Sequence, residues 1–136
     1  MLKLKKNGIL NSEISRVLGY MRHTDSITIV DCGFPIPEGV ECIDLSIKFG
    51  LPLFIDVLKE VYKDLEIELA TFANEIEEKN PILMKEALNI LKDNEIKLMP
   101  HVEFKKLSAK SKVIIRTGEA TPYANVILQS GCTFEV

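Results

Sequence analysis

Two hydrophobic periods alternate along this chain, and the alternation restricts it to a sheet layered with helices. Ile14, Val17, Leu18 and Met21 recur at i, i+3, i+4 and i+7, the stripe of a helix resting on something, with Asn11 or Ser12 as its cap. Residues 26–32 are rich in β-branched side chains and carry Ile27, Ile29 and Val30, which predicts a buried strand running into Asp31. Phe34-Pro35-Ile36-Pro37-Glu38-Gly39 cannot continue a regular element, because two prolines remove donors and Gly39 invites a turn.

Pro52 suits the first turn of a second helix, whose apolar face is Phe54, Val57, Leu58 and Val61. Residues 65–72 alternate, Leu65, Ile67 and Leu69 against Glu66 and Glu68, as a strand with one wetter face does. Residues 74–79 are acidic and helical in character. Asn80-Pro81 then gives a cap and a first-turn proline for a helix carrying Leu83, Met84, Ala87, Leu88 and Leu91 on one side. A strand near 96–99, a helix over about 102–107, a strand at 113–116, a turn at Thr121-Pro122 and a strand at 125–129 complete the series. The expected fold is α/β: one domain over residues 1–136, in three layers, with helices on both faces of a mixed, mostly parallel sheet. Sites in such a fold gather in the loops beyond strand ends.

Charge narrows the function. A net charge of -3, from 17 basic and 20 acidic residues with scattered lysines, gives no long-range attraction to a nucleic-acid backbone. Met1-Leu2-Lys3-Leu4-Lys5-Lys6 has the charges of a signal peptide's start, but no apolar run follows, and no stretch is long enough to span a bilayer. No membrane or nucleic-acid partner and a cytoplasmic location are the expectations. Three cysteines, Cys32, Cys42 and Cys132, without C-x-x-C spacing suggest reduced, partly buried thiols, not a disulfide framework or a zinc site.

Polar residues that the core does not require fall in a few places. His23 lies in the turn between the first helix and the first strand, and an imidazole both donates and accepts protons near neutral pH. Capping or simple solvation is its ordinary use in such a turn. Asp31 closes an apolar strand, where a carboxylate must reach solvent, backbone N–H groups or a ligand; capping the next turn serves equally. Tyr123 and Asn125, spaced i and i+2, point to one side of an extended segment. An aromatic face beside an amide suits a sugar, although an edge-strand tyrosine and a turn asparagine explain the pair as well. His101 follows Pro100 and is either a further site residue or a helix cap. A zinc site from His23, His101 and Asp31 is chemically conceivable but lacks the i, i+4 spacing of helical metal motifs.

In order and separation, Gly19-x-x-x-His23-Thr24-Asp25, Asp31-Cys32-Gly33-Phe34-Pro35-Ile36-Pro37, Ile43-Asp44-Leu45, Arg116-Thr117-Gly118-Glu119 and Pro122-Tyr123-Ala124-Asn125-Val126-Ile127-Leu128 closely resemble the D-ribose pyranase family, nearly end to end. The related L-fucose mutarotases share the histidine and the Gly-Glu/Tyr-x-Asn region more loosely. One departure is Arg22, which stands directly before His23 where the family has a Gly-His step. The resemblance implies cofactor-free interconversion of the β-pyranose and β-furanose forms of D-ribose, without a metal. It places the family's proton donor on His23 and its substrate-binding residues on Asp31, His101, Tyr123, Ala124 and Asn125, with Ala124 contributing backbone only. It also implies a homo-oligomer, a pentamer or stacked decamer, with sites near subunit contacts. The competing functions are a non-catalytic ribose-binding or regulatory subunit and a mutarotase for fucose or another monosaccharide.

Overall fold

The computed structural model describes residues 5–131. The elements run α1 (Ser12–Tyr20), β1 (Ser26–Val30), β2 (Cys42–Asp44), α2 (Phe54–Asp64), β3 (Ile67–Ala73), α3 (Ile76–Lys79), α4 (Pro81–Leu91), β4 (Glu95–Met99), α5 (His101–Ser108), β5 (Val113–Arg116) and β6 (Val126–Ser130). The six strands form one sheet in the order β2-β5-β1-β6-β3-β4. β1 pairs in parallel with β5, β5 with β2, and β3 with β4, whereas β6 is antiparallel to both its neighbours, β1 and β3. Five strands therefore point one way and β6 alone is reversed. The mixed, mostly parallel sheet of the α/β expectation is the one observed.

Alternation along the strands divides the core in two. Ile27, Ile29, Phe72, Val113, Ile115, Val126 and Leu128 belong to a cluster with Ile14 and Val17 of α1, Leu58 and Val61 of α2, and Ala87 and Leu91 of α4. Val30, Ile114 and Ile127 form a smaller cluster with Phe34 and with Phe104 of α5. Phe104 is fully buried, which stabilises by roughly 1.5–3 kcal/mol and fixes α5, whose first residue is His101, beside the sheet.

Several sequence expectations need correction. β2 was not foreseen: its three residues sit at the sheet edge with only Ile43 buried, too short to show a period. Pro52 does not open α2, which begins at Phe54 with Leu53 as a cap that offers no side-chain bond. The Glu119 carboxylate supplies that cap from 65 residues away, accepting from the Phe54 N–H at 3.1 Å. Pro81 is the first residue of α4 as expected, but the Asn80 side chain does not cap it; its Nδ2 donates to Thr121 Oγ1 and to the Pro122 carbonyl, each at 2.9 Å. The wetter face of β3 is confined to its start, because the last four residues, Ala70–Ala73, are buried between β6 and β4. Cys32 is half-buried, Cys42 is exposed and not partly buried, and Cys132 lies outside the described residues.

The loop between β2 and α2 is locked to the end of β5. Gly50 N–H donates to the Gly118 carbonyl at 2.6 Å and Gly118 N–H to that of Pro52 at 2.8 Å. A Cβ on Gly118 would sit 2.5 Å from the Lys48 carbonyl oxygen and closer still to that of Leu51. Both neighbours are backbone, so the loop must move as a unit. Gly118→Ala is expected to destabilise by about 2–3 kcal/mol and lower Tm by roughly 5–10 °C in a thermal melt. An unchanged melt would show that the loop is not held as tightly as this contact requires.

Candidate active site

Because β6 is reversed, its start meets the carboxyl ends of the other five strands along one edge of the sheet. Asp31 follows β1 there, Asn125 precedes β6, and His101 follows β4 by two residues. Asn125 is buried, and its Oδ1 accepts from the Asp31 N–H at 2.8 Å, so its amide nitrogen remains to donate. The Asp31 carboxylate caps its own turn, accepting from Gly33 N–H at 3.0 Å. Tyr123 does not lie in extended chain as the i, i+2 spacing supposes. Its φ is +57°, in the left-handed region, and Asn125 N–H donates back to the Tyr123 carbonyl at 2.9 Å. That turn, not strand alternation, directs the ring, which meets the His101 ring edge-on with centroids 5.1 Å apart. Ala124 is fully buried and its methyl belongs to the larger core cluster, leaving only its backbone to the site.

His101 stands in an aromatic enclosure. Its ring lies nearly parallel to Phe104, 6.2 Å away, and edge-on to Phe34 at 6.0 Å. Its backbone N–H, an uncapped donor at the start of α5, is taken by both oxygens of Glu75 at 3.0 and 3.2 Å. His101 Nδ1 is buried and has no hydrogen-bond partner among the described residues. Burial, helped by Lys105 one turn along α5, pushes the imidazole below its ordinary value of 6.5, against Glu75 and Asp31, which favour the cation. Burial likewise raises the Asp31 carboxyl above its ordinary 3.8, opposed by Gly33 N–H, Asn125, His101 and Phe34 N–H. The edge thus holds an imidazole biased toward its neutral form with an unused ring nitrogen. An enclosed polar atom left unpaired costs about 1–3 kcal/mol, which a ligand hydroxyl can recover.

Beside Asp31 opens a cleft of about 480 Å³, walled by Cys32, Gly33, Phe49, Glu119 and Pro122 among others. Its lining does not include His101, Tyr123 or Asn125. Phe49 stands 80% exposed on its rim. Of the candidate residues at this edge, Asp31 is the one that lines the cleft.

His23 is elsewhere. It precedes β1, whereas Asp31 follows it, and five residues of strand separate their ends by about 13 Å before either side chain is reached. A zinc site from His23, Asp31 and His101 of one chain is therefore geometrically closed off. The turn carrying His23 is tied down by Thr24 N–H to the Ser130 carbonyl at 3.0 Å and by Arg22 N–H to Asp25 Oδ2 at 2.9 Å. Its left-handed residue is Thr24, with φ +73°, so Arg22, where the resemblance leads one to expect glycine, carries no left-handed strain. Among the described residues the only side-chain hydrogen bond of His23 is between Nε2 and Glu68 Oε2, 3.1 Å apart.

Sequence reasoning placed Glu119 in a polar connection but missed its role, that of a buried carboxylate that accepts from Thr121 Oγ1 at 2.8 Å as well as from the Phe54 N–H of α2. Through Thr121 and Asn80 it anchors the segment leading into Tyr123. It missed the Phe34–Phe104 enclosure too, because both phenylalanines read simply as core. Arg116 proves to be framework: Nε and Nη2 donate to the Cys32 carbonyl at 3.1 and 2.9 Å, and Nη1 to Asp44 Oδ2 at 2.9 Å. Among the described residues no helix is long and apolar enough to cross a membrane.

Known proteins resemble this chain over nearly its whole length. A D-ribose pyranase of Laribacter hongkongensis is 54% identical over 131 residues, 96% of this chain and all of that one. The structure of Bacillus subtilis RbsD complexed with D-ribose superposes with a TM-score of 0.93 at 45% identity, covering 96% of this chain and 99% of that one. A fucose mutarotase of Streptococcus pneumoniae, solved with L-fucose, shares the fold at a TM-score of 0.79 and 20% identity, over 91% and 94% of the two chains. The sequence pattern of the RbsD / FucU transport protein family matches residues 4–133, and the chain belongs to that family.

Proposed function

We propose that this protein is a D-ribose pyranase, an isomerase that interconverts β-D-ribopyranose and β-D-ribofuranose in the cytoplasm, acting as a single domain without cofactor or metal. The observation that carries the reading is the meeting of Asp31, Asn125, Tyr123 and a half-enclosed His101 with an unpartnered ring nitrogen at one sheet edge. The 54% identity to a D-ribose pyranase and the ribose held by a 45% identical relative support it. A sugar offers what the edge lacks: hydroxyls for Asp31, the Asn125 amide and His101 Nδ1, and an apolar ring face for Tyr123.

Ring opening of a cyclic hemiacetal requires a proton delivered to the ring oxygen as its bond to C1 breaks, and a proton withdrawn from the C1 hydroxyl. The resulting aldehyde is then attacked by a different hydroxyl to close the other ring size. His23 is the group that exchanges the proton at the ring oxygen, and Asp31 and His101 orient hydroxyls or take the second proton. Because the reaction proceeds unaided in water, orientation and modest acid–base help suffice.

His23 and Asp31 sit off opposite ends of β1, farther apart than one sugar ring bridges, so the site we propose takes His23 from a neighbouring copy. Exposed apolar side chains support self-association, with Phe49 80%, Ile47 77% and Leu10 74% exposed. A pentamer or stacked decamer is the assembly this reading expects. The deciding measurement is magnetisation exchange between ribopyranose and ribofuranose NMR signals. Catalytic amounts of protein should accelerate it. Saturable ribose binding without acceleration would instead establish a binding or regulatory subunit, and acceleration with fucose but not ribose would move the activity to another sugar.

A further inference from the structure

We propose that Glu68 is a positioning residue for His23, holding the imidazole by Nε2 so that Nδ1 is the atom that exchanges protons with the sugar. This rests on the role given to His23 above. Two independent features aim Glu68 at the histidine. Along the β3–β6 ladder Ile67 pairs with Ser130 and Leu69 with Gln129, so Glu68 is an extra residue in β3 with no partner of its own, a bulge. Bulges re-aim a side chain that regular alternation would send elsewhere. Gly131 follows, where a Cβ would come within 3.1 Å of Glu68 Cβ, so the absence of a side chain there leaves Glu68 its place.

The same end of β6 holds the histidine. Thr24 and Ser130 are bound through Thr24 N–H and the Ser130 carbonyl at 3.0 Å, and Ser130 N–H donates to the Asp25 carbonyl at 2.8 Å. The Ser130 hydroxyl donates to the Arg22 carbonyl. Gln129 Nε2 donates to Glu68 Oε2 at 3.3 Å, the oxygen that also faces His23 Nε2 at 3.1 Å. Both partners are thus fixed to one two-residue segment, Gln129-Ser130. Their side chains are 52% and 43% exposed, and a contact so placed adds little to folding stability. A bulge, a left-handed Thr24 and a bridging glutamine arranged around a pair of such slight stabilising value point to orientation as its use.

The chemistry follows from donor and acceptor types. An ionised carboxylate only accepts, so Nε2 carries a hydrogen whether the ring is neutral or cationic. Nδ1 is left as the exchangeable position. In the cation Nδ1–H gives its proton to the ring oxygen as the C1–O bond breaks; the neutral ring that remains keeps Nε2–H on Glu68 and takes a proton back through Nδ1 when the ring recloses. Glu68 accepts one hydrogen bond throughout and receives no proton.

The test uses full-length, assembled protein carrying Glu68→Gln, with Glu68→Ala as a second variant. Glutamine matches the shape but presents either a donor or an acceptor to Nε2, so the ring's tautomer is no longer specified. Ribose exchange kinetics and nitrogen-15 NMR of the His23 ring are read together. The expected result is kcat lowered roughly 10- to 100-fold with KM for ribose unchanged, together with a His23 population shifted from the Nε2–H tautomer toward Nδ1–H. Wild-type kcat in either variant, or an unshifted tautomer population, overturns the proposal. Failure of the underlying reading looks different: His23→Ala would then exchange ribose as fast as the unaltered protein, whatever Glu68 does.

Discussion

Replacing His23 with alanine is expected to slow pyranose–furanose exchange by roughly 10²- to 10⁴-fold, down toward the spontaneous rate, while the thermal melt stays where it was. The size of the kinetic effect is that of removing a general acid from a reaction whose leaving oxygen must be protonated. The unchanged melt follows from the geometry: the His23 side chain is 52% exposed and its side-chain bond, to Glu68, is to an exposed glutamate. Its turn is closed by backbone groups and by Asp25 and Ser130, none of which the substitution touches. A surface change of that kind shifts stability by less than about 0.5 kcal/mol. An exchange rate equal to wild type would remove His23 from the mechanism, and a collapsed melt would mean that the turn depends on the ring.

The second large effect concerns two inactive proteins that restore each other. His23→Ala and Asp31→Ala assemblies should each run near the background rate, because each lacks one half of every site. If the halves come from different copies, refolding the two variants together in equal amounts produces sites that pair an intact Asp31 edge with an intact His23. Random assortment makes about one site in four whole, so activity should climb from near zero to about a quarter of wild type. Mixing preformed assemblies without dissociation serves as the control and should give nothing. If every site drew His23 and Asp31 from one chain, no mixed site would be intact and co-refolding would recover no activity.

What was legible in the sequence was set by the range over which the determining forces act. The β1 run of Ile27, Ile29 and Val30, the α1 stripe and the proline opening α4 are local signals, and each element appears where those residues stand. β2 was hidden because three edge residues hold no period. The beginning of α2 was misplaced at Pro52 because its first free N–H is satisfied by Glu119, which no local pattern can announce. Asn80 sits where a cap belongs, yet its amide is spent on Thr121 and Pro122, 41 and 42 residues onward. The same holds at the candidate site. Asp31 and Asn125 were singled out and do meet, but the same-side reasoning for Tyr123 failed, since a left-handed turn replaced the extended chain it assumed. Glu68 read as the wet face of a strand; its meeting with His23 is created by a bulge between residues that alternation treats as regular.

The reversed direction of β6 has a price in independence. Its five residues begin beside Tyr123 and Asn125 and end at Gln129 and Ser130, which steady the turn of His23. Slipping the strand by a single residue would turn every side chain to the opposite face at both ends together. On the proposed reading, the grip on the sugar and the aim of the proton carrier are therefore inherited as one trait. A sequence drifting toward a differently shaped monosaccharide has to find changes outside β6, in loops such as 31–39 or 119–123, because adjusting the strand for one half would spoil the other.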